Sequence, residues 1–238
     1  MITKSKLKEI RTLAIKIDHD LAFAGKSKGN KHLERVVQVA DFLANKVGAD
    51  RSVVFAGAVL HDTALPTGND YNYTSNKKVV KNLLKPLNLD QSDLNKIAEC
   101  VGSHEGTVKP RSLEAKVVHD ADVLEKTGLL GIIRHTWKMT NLGKIDHTSV
   151  TDANVKMILD HIVWRGRKLH TPIAKKIRKH LAHSIGHEKA KLIVSISAEM
   201  AFRGIVTEKI AVALRKYLSR TEKEMLKAQL TLSYLKKN

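Results

Sequence analysis

Apolar residues recur at three- and four-residue spacing along nearly all of this 238-residue chain, and no segment alternates apolar and polar side chains over strand length. That spacing fits the 3.6-residue turn of a helix and not the two-residue repeat of a strand. It predicts an all-α protein. Helix start and stop signals agree. Helices are expected over about 5–18, 30–47, 51–62, 76–85, 91–104 and 113–127, bounded by such residues as Gly48, Asp50, Ser75, Asp90, Ser112 and Gly128. Four more are expected over about 152–168, 172–185, 187–203 and 208–235. Thr171-Pro172 is a favoured pair at a helix start.

Composition narrows the class. Hydrophobic residues at 42% suffice for a core, and with aromatics at 4% that core rests on Leu, Ile, Val and Ala. A lone cysteine, Cys100, cannot form an internal disulfide and points to a reducing compartment. The opening MITKSKLKEIRTLAIKI is interrupted by charge, unlike a signal peptide, and no apolar run reaches the roughly 18 residues of a membrane span. A cytoplasmic protein with no membrane partner is expected.

Net charge is +18, a field that attracts polyanions. Residues 1–144 carry 23 Lys and Arg against 16 Asp and Glu; residues 145–238 carry 19 against 8. With 4 prolines and no Gly/Ser-rich linker, the expected organisation is a core, 1–144, with a basic helical extension, 145–238, packed on it. The steepest basic stretch is WRGRKLHTPIAKKIRKH, residues 164–180. Arg165, Arg167, Lys175, Lys176, Arg178 and Lys179 read first as a solvated face, with contact to phosphates or nucleic acid as the alternative. Met139 and Trp164 read as core.

The stretch AGAVLHDTALP, residues 56–66, poses a chemical question. An apolar helical run ends in His61 and Asp62, and burying such groups is costly unless they are partnered. His32 precedes them in HLERVVQVADFLANKVG, His104 follows in CVGSHEG, and Asp120 and Asp122 lie in KVVHDADVLEKTG. Imidazole nitrogens and carboxylate oxygens are ligands for divalent transition metals, and an ion would supply the charge that makes their joint burial acceptable. His119, His135 and His147 have no such partner pattern and read as non-ligands.

These motifs resemble a family. H-x28-HD followed by a distant Asp is similar to the signature of the HD-domain metal-dependent phosphohydrolases, an all-α fold. HLERVVQVA resembles that family's first-ligand helix, and VVFAGAVLHDTA its apolar approach to the His-Asp pair. SHEG followed by SLEAKVVHDADVLEKTGLLGIIR, and the later LHTPIAKKI, resemble a bacterial and archaeal subgroup of small HD proteins with a DADxLxxxG segment. The likeness covers about 30–180. It implies His32, His61, Asp62 and Asp122 as metal ligands, with Asp122 preferred to Asp120 through the frame Ala121-Asp122-Val123-Leu124. Asp120 and Arg35 are then residues behind the ligands, or, for Asp120, the alternative ligand. HDTAL replaces the more usual HDIGK, so the lysine after the pair is missing. Binuclear branches carry additional histidines between the pair and the distant Asp, whereas only His104 lies in that interval. One divalent ion is therefore expected, with Mn, Mg, Fe, Co, Ni and Zn not distinguished.

The resemblance implies hydrolysis of a phosphate ester or anhydride, with a nucleotide as substrate class. Asp62 would hold or deprotonate the attacking water, and His104 would donate to the phosphate or leaving group. Lys77 and Lys78 are candidate substrate contacts. A phosphodiesterase or nuclease acting on RNA or single-stranded DNA uses the same metal, with the basic C-terminal helices on the polymer backbone. A non-catalytic nucleic-acid-binding protein on an HD scaffold is the third reading.

Overall fold

The computed structural model describes residues 2–68, 70–182 and 185–237. Among them are twelve α-helices and no strand: α1 Lys4–Asp20, α2 His32–Val47, α3 Arg51–Leu60, α4 Tyr73–Leu84, α5 Gln91–Ser103, α6 Leu113–Glu125, α7 Gly128–Asn141, α8 Asp152–Gly166, α9 Pro172–Leu181, α10 His187–Phe202, α11 Thr207–Leu214 and α12 Arg220–Thr231. Short 3-10 turns punctuate the array. None of these helices is long and apolar enough to cross a membrane. The protein is all-α, as the spacing predicts.

The helix starts follow side-chain chemistry. Thr3, Asp50 and Asn72 each sit in extended backbone ahead of a helix and accept from its first-turn amides, Asp50 from Ser52 N at 2.9 Å and Val53 N at 3.3 Å. These caps satisfy donors that a helix start leaves without partners, each worth about 1 kcal/mol.

The chain folds into two compact units. The first comprises Met1–Lys28, His32–Asp122 and Leu169–Lys175; the second comprises Gly29–Lys31, Val123–Lys168 and Lys176–Asn238. In the first, α3 is the hub: α1, α2 and α5 pack on it, and α4 packs on α5. Val53, Val54, Ala56, Gly57, Ala58, Val59 and Leu60 of α3 are all buried. Each fully buried large aliphatic side chain contributes roughly 1.5–3 kcal/mol.

In the second unit α7 has the same role, with α8, α10, α11 and α12 packed against it. Every residue from Gly128 to Thr140 is buried. Trp137 donates to Ile205 O at 3.0 Å, and Gln229 of α12 donates to Thr127 O at 2.6 Å ahead of α7. No helix was expected over 128–141: the segment opens on Gly128 and holds Gly131, both poor helix formers, and its polar residues Arg134, His135 and Lys138 are buried with the rest.

Other boundaries shift too. The helix expected over 208–235 is two, α11 and α12, separated by Leu218 in extended backbone. Ser219 then opens α12 through a reciprocal capping box with Glu222. The Ser-x-x-Glu spacing is itself a helix-start signal. The helix expected over 172–185 ends at Leu181, and residues 183 and 184 lie outside the described residues. The solvated basic face holds for Arg167, Lys175, Lys176 and Lys179, but Arg165 is fully buried. Trp164, expected in the core, is 38% exposed beneath the Lys168 ammonium, 3.7 Å from the ring centroid; Met139 is buried.

Candidate metal centre

The first unit brings the candidate ligands together from four helices. His32 is the first residue of α2, His61 and Asp62 follow the last turn of α3, His104 follows the last turn of α5, and Asp122 lies on α6. His32, His61, His104 and Asp122 are buried, and Asp62 keeps 12% of its side chain accessible. His32 Nε2 stands 3.3 Å from Asp122 Oδ1 and 3.8 Å from Asp62 Oδ2. His61 Nε2 stands 3.2 Å from Asp62 Oδ2 and 3.7 Å from Asp122 Oδ1. Ligand atoms about 2.0–2.2 Å from a common ion stand about 3.0–3.5 Å apart at tetrahedral or octahedral edges. Two of the four separations fall in that range and the other two lie a few tenths of an ångström above it.

Local helix chemistry explains the two buried imidazoles. The last carbonyls of a helix have no intrahelical donor. His61 Nδ1 lies 2.7 Å from Ala58 O, and His104 Nδ1 lies 2.7 Å from Val101 O. A carbonyl only accepts, so Nδ1 carries the proton in both rings. In a neutral ring that leaves the Nε2 lone pair, the atom a cation takes. Both Nε2 atoms are buried without a hydrogen-bond partner. The residues present therefore fit a divalent ion, whose gain would offset the cost of keeping these atoms from water.

Electrostatics point the same way. Burial disfavours the imidazolium of His104, but nearby Asp62, Glu105 and Asp122 outweigh it and raise the ring's pKa to about 9. Carboxylates are in surplus in this pocket. It attracts a positive species, proton or metal.

The site also contains what sequence reasoning passed over. Glu105, 1% exposed, places Oε1 3.5 Å from His104 Nε2. Asp62, His104 and Glu105 form a second close group beside His32, His61 and Asp122. The signal was in the sequence: α3 ends in His-Asp and α5 in His-Glu. His119, read as a non-ligand, supports the site from behind, with Nδ1 2.8 Å from His104 O. His135 stacks on His161, and His147 stacks on Phe202, in the second unit.

Asp120 does something else. It is fully buried, not at the surface, and faces residues 170 and 171. Its Oδ1 accepts from His170 N at 2.9 Å, and its Oδ2 accepts from Thr171 N and Thr171 Oγ1, both at 2.7 Å. Both oxygens are thus engaged in anchoring the start of α9, while Asp122 turns to the imidazoles. Arg35 is buried one turn beyond His32 on α2. Lys77 donates to Tyr73 Oη at 3.2 Å, and its stem lies over Gly102, two residues before His104; Lys78 is exposed. Asp120→Ala is expected to strand two amides and a hydroxyl, costing about 2–3 kcal/mol and several degrees of melting temperature. Bound metal per chain is expected to stay at the wild-type value. Calorimetry and metal analysis of the variant check both.

A narrow cleft reaches Asp62 between Ala14, Ile17, Asp18, Leu33, Val59 and Thr63. Its free space, about 10 Å³, is close to the room one water needs.

The model of the HD domain family matches residues 30–127. Ribonuclease Y of Treponema pallidum (strain Nichols) is 28% identical over 95 residues, which are 39% of this chain and 18% of that protein. The chain therefore spans less than a fifth of that relative's length. A solved Lactobacillus plantarum protein superposes with a TM-score of 0.58 at 25% identity, covering 76% of this chain and 91% of that one. YpgQ of Bacillus subtilis, solved in complex with ADP, superposes with a TM-score of 0.53 at 21% identity, covering 74% of this chain and 87% of its own; that likeness is one of fold. The family match takes in every residue of both His/carboxylate groups. Residues 30–127 of this chain, about two fifths of it, are thus similar to HD domains.

Proposed function

We propose that the chain is a metal-dependent phosphohydrolase that cleaves a phosphate ester or anhydride bond of a nucleotide. The convergence of His32, His61, Asp62 and Asp122 from three separate stretches of sequence carries this reading. Bound there, one divalent ion supplies Lewis acidity toward a phosphate oxygen and lowers the pKa of water toward neutrality. Asp62 borders the cleft that has room for one water, so its carboxylate orients that water and takes its proton. His104 faces Asp62 from α5, 3.7 Å away, and would donate to the phosphate or the leaving group. Lys77, whose stem lies over Gly102 two residues before His104, is a candidate to offset substrate charge, and the net charge of +18 favours anionic substrates generally.

The test is a screen of nucleoside mono-, di- and triphosphates and generic phosphodiesters against purified protein loaded in turn with Mn, Mg, Co, Ni or Zn. Hydrolysis of a nucleotide that depends on added metal and disappears in Asp62→Ala is the expected result. Turnover that survives Asp62→Ala, or none with any metal, overturns the reading. The match to a ribonuclease favours one second reading, cleavage of RNA. An oligoribonucleotide included in the same screen would then be the preferred substrate, with binding that weakens steeply in salt. Tight, salt-sensitive RNA binding without turnover would identify a binding module instead.

A further inference from the structure

We propose that the second unit holds a binding site for an organic anion, a carboxylate or phosphate head on a compact apolar body, in the hollow that Arg178 shares with α7 and α8. The head pairs with the Arg178 guanidinium, and the body covers Leu159, Ile162 and Val163. The site uses none of the residues of the metal centre, and the inference stands apart from the proposed hydrolysis.

The hollow is built from three helices, each supplying successive turns of one face. Leu159, Ile162 and Val163 recur at three- and four-residue spacing on α8, Gly128 and Ile132 stand four apart on α7, and Arg178 and Ala182 stand four apart at the end of α9. Its free space, about 240 Å³, is just below the roughly 300–1,000 Å³ of sites for drug-sized ligands. That size suits a short chain or a single ring. Protein does not fully cover the α8 stripe: Leu159 and Ile162 are half-buried, and Val163 is 42% exposed. Apolar surface left open in this way favours an apolar occupant.

Arg178 supplies the charge. It is half-buried, whereas its neighbours Lys176 and Lys179 are exposed. Its Nε is buried without a hydrogen-bond partner, and among the described residues no acid lines the hollow. An N–H sealed from water with nothing to accept it costs free energy that an anionic oxygen restores, and a guanidinium meets carboxylate or phosphate oxygens through paired donors. The group is also held in place. A Cβ on Gly166 would fall 2.5 Å from Arg178 Cζ and Nη2, so the guanidinium fills the notch that glycine leaves on α8. α7 opens on the same hollow. Thr127 Oγ1 donates to Val123 O at 2.8 Å and does not cap that helix, so its positive end adds to the field of the guanidinium.

The two features together set the ligand class. A guanidinium alone accepts any phosphate, and an apolar hollow alone accepts any hydrocarbon; joined, they select molecules that carry both parts. Inorganic phosphate offers no body to the α8 stripe, and an alcohol offers no charge to Arg178. Removing either half of the ligand is expected to cost most of its affinity.

The test is calorimetric titration of the full-length protein with octanoate, octylphosphonate and octanol. Saturable binding of an anion, one per chain and about tenfold or more tighter than octanol, is expected, since a charge-assisted hydrogen bond accounts for at least that factor. The tighter of the two anions identifies the head group. Arg178→Met keeps an apolar stem and removes the charge; it is expected to weaken the anion by about ten- to a hundredfold and to leave octanol unaffected. Gly166→Ala keeps the charge but displaces the guanidinium, and is expected to weaken the anion without lowering the melting temperature of the ligand-free protein. Absence of saturable anion binding overturns the site. So does octanol binding as tightly as the anions, or an anion affinity unchanged in Arg178→Met. The comparison of anion with alcohol on the wild type stands even if a variant misfolds.

Discussion

Asp62→Ala is expected to abolish metal-dependent hydrolysis and the stabilisation that metal confers, while leaving the metal-free fold at least as stable as the wild type. The last part follows from the charge in the pocket. Asp62 is one of three carboxylates converging on buried space, and its removal relieves repulsion on Asp122 and Glu105. Its loss also takes an oxygen from each of the two groups, because Oδ2 faces His61 and Oδ1 faces His104. Affinity should fall by more than about 100-fold, the upper end of what losing a residue behind the ligands costs. A ligand at a hundred times its Kd stabilises by about 2.7 kcal/mol. In a chain of this length that corresponds to a rise in melting temperature of roughly 5–10 °C. Melting curves with and without Mn(II) should show that rise for the wild type and a flat response for the variant. An equal rise in both would place the ion elsewhere.

Much of the fold and part of the centre could be read from the sequence, and the divisions have physical causes. Amphipathic helices such as α2 announce themselves because one face meets the core and the other meets water. α7 was missed because Gly128 and Gly131, poor helix formers, stand in its first turn, although Arg134, His135 and Lys138 give it polar positions that the fold buries. The His61-Asp62 pair was legible as an anomaly, two polar groups ending an apolar run. Asp120 and Asp122 were not separable by spacing alone: two steps along a helix turn a side chain by about 200°, which says that they diverge but not which faces the imidazoles. That depended on a distant segment, since the amides of residues 170 and 171 claim both oxygens of Asp120. Glu105 was hidden for another reason. Its place in the centre comes from the end of α5 lying beside the end of α3, and a single sequence does not reveal that register.

Gly57→Ala tests that register directly. It is expected to lower stability by about 1–3 kcal/mol, read as roughly 3–10 °C in melting temperature, and to disturb the centre unevenly. A methyl at residue 57 would stand 2.5 Å from Cys100 Cβ and 3.1 Å from its Sγ, inside a core with no slack. Relief requires α5 to move away from α3. His104 sits one turn beyond Cys100, so the same movement widens the 3.7 Å gap between His104 Nε2 and Asp62 Oδ1. His32 and His61, on α2 and α3, do not depend on that contact. The approach of His32 and His61 to Asp122 should therefore persist while that of His104 to Asp62 widens. Cys100→Gly added to Gly57→Ala removes the opposing Cβ and should recover stability, despite a cost of about 1 kcal/mol for glycine inside a helix. If the double variant is no more stable than Gly57→Ala, the close approach of Gly57 and Cys100 is not what sets the distance between the two histidine-acid pairs.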